Sequence, residues 1–94
     1  MTAGRDGDPS EVPHDVRASL TQLLENARTA AVSDDDATAA ALLDTAGTVA
    51  ANKLPPGDRR AAIRRGCDAA GDALPNGDLA AAYAAAAAAR VPES

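Results

Sequence analysis

Alanine supplies 26 of the 94 residues, and that one fact limits what this chain can fold into. An alanine methyl buries little apolar area, which is worth roughly 25 cal/mol per Å². Alanine is also the best helix former. A chain with this content must build helices that pack closely, because it lacks the bulk to fill wide gaps between layers. The large aliphatic residues are eight Leu, five Val and one Ile, with no Phe or Trp. These 14 of 94 residues make about 15% of the chain. That is below the roughly 20% at which a highly charged chain tends to stay disordered. Low bulk predicts marginal stability, helped by self-association, a partner or high salt.

The large residues are periodic, which argues for order. Val16, Leu20, Leu23, Leu24, Ala27 and Ala31 recur at spacings of three and four and predict a helix over about 13–32. Pro13 suits its first position, where a missing N–H costs nothing. The segment "SDDDATAAALLDTAGTVAANK" predicts a second helix over 34–53, capped by Ser33 or Asp34, with Ala39, Leu42, Leu43, Ala46, Val49 and Ala50 inward. Gly47 in its middle suggests a close backbone neighbour. "LPPGD" stops that helix, and Asp58 is expected to cap a third over 58–74, with Ile63, Cys67, Ala70 and Leu74 inward. "PNGD" is the next turn, with Asp78 as the expected cap of a fourth helix over 78–91 that Pro92 ends. No β period appears. The fold class is therefore all-α, a small antiparallel bundle of four helices joined by short turns. It forms a single domain over 12–94, behind a disordered Gly-, Pro- and Asp-rich leader at 1–11.

Charge adds a second layer. The net charge is −5, from 11 Asp and 3 Glu against 8 Arg and 1 Lys. An Asp-rich, Lys-poor and Ala-rich makeup fits adaptation to high internal salt. A GC-rich genome explains the Ala and Arg but not the acidic balance. The N-terminus has no basic stretch followed by an apolar core, and no segment is apolar enough to span a membrane. One Cys excludes an internal disulfide framework. A cytoplasmic location is expected.

Candidate chemistry is sparse. Arg59, Arg60, Arg64 and Arg65 fall together in "DRRAAIRRGCD", two of them in a first helical turn, where positive charge is unfavourable. They could hold an anion or a nucleic-acid backbone. The simpler reading is a solvated face that pairs with acidic residues of the same or a neighbouring subunit. Leu79, Tyr83, Ala86 and Ala87 form a stripe on the fourth helix. Either Leu79 and Tyr83 pin that helix to the third, or an alanine-lined face docks a partner. His14 and Cys67, the only His and Cys, cannot make a tetrahedral metal site without further ligands. The "SDDDA" acids read as capping residues rather than a calcium loop. No phosphate loop or nucleotide fingerprint is present, so no cofactor or metal is predicted. The sequence points to a non-enzymatic protein–protein interaction or regulatory module, able to self-associate. Leu79, Tyr83, Ala87 and the four arginines are its candidate partner-binding residues. The alternative is a nucleic-acid-associated protein using Arg59–Arg65.

Overall fold

The computed structural model describes residues 14–91, which places the leader and Pro13 outside the described residues. Four helices follow one another: α1 (His14–Val32), α2 (Asp36–Lys53), α3 (Asp58–Ala73) and α4 (Gly77–Ala88). The described residues contain no strand. Helix α1 packs on α2 and α4, and α3 packs on the same two, so the four close into a ring of neighbours. Short turns make each sequential pair antiparallel. The expected all-α bundle is the observed one.

The turns show how local chemistry sets the helix ends. The three consecutive acids after α1 do three different jobs. Asp34 takes a left-handed conformation with φ 61°. Its N–H donates to the Ala31 carbonyl at 3.3 Å, and the Asp35 N–H donates to the Ala30 carbonyl at 2.9 Å. That pair of bonds is a Schellman stop for α1. Asp35 then caps α2, its side chain accepting from the Thr38 N–H. Asp36 lies in the first turn, where its charge suits the helix dipole. The cap of α2 is thus Asp35, not Ser33 or Asp34, because Asp34 is spent on ending α1.

Two other expected caps also move by one or two residues. Asp58 is the first residue of α3 rather than its cap. The cap position belongs to Gly57, with φ 147° and ψ −172° and no side-chain bond. Only glycine adopts that conformation without strain, which explains the glycine after "LPP". Asn76, not Asp78, caps α4 by accepting from the Leu79 N–H at 3.1 Å. Helices α2 and α3 both end at a Leu-Pro step, with Leu54 and Leu74 extended. A following proline disfavours the helical conformation. The stop turns both leucines inward: Leu54 is buried and Leu74 is half-buried. Helix α4 ends at Ala88 rather than residue 91, and its last turn tightens through Arg90 N–H to Ala87 and Val91 N–H to Ala88.

The core has two parts. The larger gathers Leu20, Leu24, Leu43, Leu54, Ile63, Cys67 and Val91 with alanines from every helix. Leu20, Leu24 and Ile63 are its largest fully buried side chains. Losing one of them to alanine costs about 2–5 kcal/mol, against a total on the order of 4–12 kcal/mol for a domain of this size. The second part, at the end holding the α1–α2 and α3–α4 turns, has a buried set of alanines, Ala30, Ala31, Ala39, Ala80 and Ala81, with Ala73 and the half-buried Leu74 packed against it. With mostly methyls between them, the end of α1 and the start of α4 come close there. A Cβ added to Gly77 would collide with the Ala31 carbonyl oxygen.

The expected close neighbour of Gly47 is absent: a Cβ there would meet the Cys67 Cβ at an ordinary 3.8 Å. The close approach is at Gly66 instead, where an added Cβ would lie 2.8 Å from the Ala87 Cβ. The two glycines therefore respond oppositely to the same substitution. Gly47→Ala is expected to raise the unfolding free energy by up to about 1 kcal/mol through helix propensity. Gly66→Ala is expected to lower it by about 1–3 kcal/mol through overpacking. Urea denaturation followed by circular dichroism checks both; equal effects would contradict this packing.

Candidate functional site

Helix α4 presents the least expected arrangement. Its buried side is Ala80, Ala81, Ala84 and Ala87. Leu79 and Tyr83, the large residues expected to pin it to α3, are 44% and 40% exposed. The reason lies on α3. Gly66 faces Ala87 and the Tyr83 backbone oxygen, leaving space for a methyl and nothing larger. Alanine packs inward, and the Leu and Tyr side chains are left at the surface. Of the expected stripe, Leu79, Tyr83 and Ala86 stay exposed, whereas Ala87 is buried against α3. Ala87 is a core residue here and takes no part in a free face.

The four arginines do not share one environment. Arg60 is half-buried, and its guanidinium donates to the Ala51 carbonyl near the end of α2 at 3.4 Å. That carbonyl lies near the negative end of a helix dipole, which suits a cation. Arg64 borders a shallow cleft between α2 and α3 together with Asp44, Gly47, Thr48 and Asp68. Arg59, Arg64 and Arg65 are exposed. Arg60 makes a hydrogen bond across the α2–α3 seam, and Arg64 lines the cleft beside it. Of the pairing expected with acids of the same or a neighbouring subunit, none appears within the chain: among the described residues the one ion pair is Arg28–Glu25, at 3.8 Å on the surface of α1. Such a pair contributes little. The cleft at Arg64 measures about 210 Å³, below the roughly 300 Å³ at which small-molecule sites begin.

A second, wider groove runs between α1 and α4. It is lined by His14, Arg17, Thr21, Gln22 and Glu25 on one side and Ala85, Ala88 and Ala89 on the other. His14 is exposed, and its Nδ1 lies 3.4 Å from an Arg17 guanidinium nitrogen. Neither groove contains Cys67 or Tyr83, so neither brings together the three residues best able to carry catalysis. No group of metal-binding side chains occurs among the described residues. No helix among them is long and apolar enough to cross a membrane.

Cys67 is buried between Ile63 and Ala70 on α3. Burial, with a smaller contribution from the Asp68 charge, pushes its thiol up to about 11. The raised value means that the folded state favours the neutral thiol. The stability this contributes is present at neutral pH and is lost as pH climbs from about 9 toward about 11.

Residues 6–93 match the family described as Domain of unknown function (DUF8101). The chain belongs to that family. No curated protein and no solved structure matches it. The family's description names no activity, so the surface itself has to supply a functional reading.

The thiol offers a direct check on the core. At pH 8 a thiol reagent is expected to label Cys67 in the native protein far more slowly than in urea, by a factor of 100 or more on the order set by a stability of ~4 kcal/mol. Rapid labelling of the folded chain would place Cys67 at the surface and return it to the candidate nucleophiles.

Proposed function

We propose that this chain is a small, non-enzymatic helical module that works in the cytoplasm by protein–protein contact, through the outer face of α4. The observation that carries this reading is the inversion of that helix. Its alanines satisfy the bundle, while Leu79 and Tyr83 remain 44% and 40% exposed. The two lie one helical turn apart, and a contiguous exposed apolar patch is a common mark of a contact surface. Tyrosine is also enriched at interface hot spots. The burial of Cys67 and its raised thiol speak against nucleophilic chemistry. The Asp-rich, Lys-poor surface suits a salt-rich interior, where screening limits repulsion to a few Å.

The nucleic-acid alternative has less support. A phosphate backbone is bound by cations standing free together on one face. Here Arg60 is engaged with the Ala51 carbonyl, and the exposed Arg64 borders a cleft it shares with the acids Asp44 and Asp68.

A photo-reactive phenylalanine analogue at Ala82, on the exposed side of α4, tests the reading in cells or extract. The control carries it at Ala40, exposed on α2. Protein adducts are expected at position 82 and not at 40. Equal labelling at both positions would remove the α4 face as the contact surface. Retention of the purified protein on DNA or RNA that is lost in Arg60→Ala/Arg64→Ala would favour the basic segment instead.

A further inference from the structure

We infer that the partner of the α4 face is a second copy of this chain, docked with the two α4 helices antiparallel across a two-fold axis. This rests on the reading of that face as a contact surface and goes further by naming its occupant. The argument is electrostatic. The chain carries a net charge of −5, so two copies repel at most approaches. Helices α1, α2 and α3 each carry both acidic and basic residues along their exposed sides, including Glu25 and Arg28, Asp44 and Lys53, and Asp68 and Arg65. From Leu79 to Ala89 there is no charged residue at all. Along this helix two copies can approach over several turns without burying a charge of α4 itself, with Arg17 and Glu25 of α1 on its flank.

The charges at the two ends of the segment then select the orientation. Asp78 is exposed in the first turn of α4, and Arg90 is exposed just beyond its last. A parallel pair would place like charges together at each end. An antiparallel pair centred on Ala84 brings Asp78 to the end that carries the partner's Arg90, and the reverse at the other end. The two helix dipoles are then also opposed, which is favourable. In this register Ala82 faces the partner's Ala86, and Leu79 faces the partner's Ala89. The methyls of Ala82 and Ala86 at the centre of the seam allow the axes to come within about 8 Å. The Tyr83 ring can then lie over alanines of the opposite helix. The patch is thus its own complement under a two-fold operation, as an isologous dimer requires. A 12-residue helix is only about 18 Å long. The contact is therefore at the small end of specific interfaces, and the dimer is weak and concentration-dependent.

The test is sedimentation equilibrium of the purified full chain at near-physiological salt, from micromolar to millimolar concentration. The mass is expected to rise from monomer to dimer. Asp78→Arg and Arg90→Asp should each weaken association about tenfold, since each touches two symmetry-related surface pairs. The double variant, which exchanges the charges, should recover most of the loss. Both substitutions oppose the α4 dipole, so Ala82→Glu serves as a variant of unimpaired helicity. It should abolish the dimer with the circular dichroism unchanged. A monomer at every concentration would overturn the inference, as would charge variants whose losses add instead of cancelling. A monomer that still forms protein adducts at position 82 would leave the α4 docking face standing with a different partner. A dimer indifferent to Ala82→Glu would move self-association to another surface.

Discussion

Contact between backbone and methyl groups is the constraint on which this bundle depends. At Gly66 against Ala87, and at Gly77 against Ala31, two helices come so close that one carbon atom decides whether they fit. Close packing of this kind replaces the bulk the sequence lacks. Dispersion between many small, well-fitted groups does what a few large side chains do elsewhere. The same closeness has a price at the surface. Where only a methyl fits inward, the larger neighbours on that helix are turned outward, and this is why Leu79 and Tyr83 are left at the surface.

The two ends of the bundle differ in kind. Leu20, Leu24, Leu43, Leu54 and Ile63 belong to the part of the core that reaches toward the α2–α3 turn. Five alanines hold the other end. That end depends more heavily on its turns. The stop of α1 and the cap of α2 share the three residues Ser33, Asp34 and Asp35, with no residue to spare between them. Asn76 does comparable work for α4 from a turn of equal length. Polar capping in the turns thus compensates for a thin apolar layer beneath them.

Much of this was legible in the sequence, for a physical reason that also marks where legibility stops. In α1, α2 and α3, leucine, isoleucine or valine stands among alanines at helical spacing, so contrast in size reveals the inward side. Leu20, Leu24, Leu43, Ile63 and Cys67 are all buried as their spacing requires. In α4 nearly every residue is alanine, so hydropathy has no contrast to offer. The two large residues then look like the anchor when they are the outside. The cap residues shifted for a related reason. Runs such as "SDDD" and "PNGD" contain several competent caps, and the backbone hydrogen bonds at 30–35 and 73–80 choose among them. The arginine segment read as one patch because sequence shows proximity along the chain. Its division between the α2 seam and open solvent depends on where α2 lies. Gly47 and Gly66 look alike in sequence, and only the packing of α4 tells them apart.

An alanine-dominated core also has a thermal consequence. The heat-capacity change of unfolding comes mainly from hydrating apolar surface, at about 0.45 cal/K/mol per Å². Methyl groups expose little of it, while the backbone hydrogen bonds of four helices contribute enthalpy undiminished. The stability curve of such a bundle is therefore broad and shallow. It changes little between cold and warm, and its unfolding responds gently to denaturant, because the slope of that response follows the same exposed area.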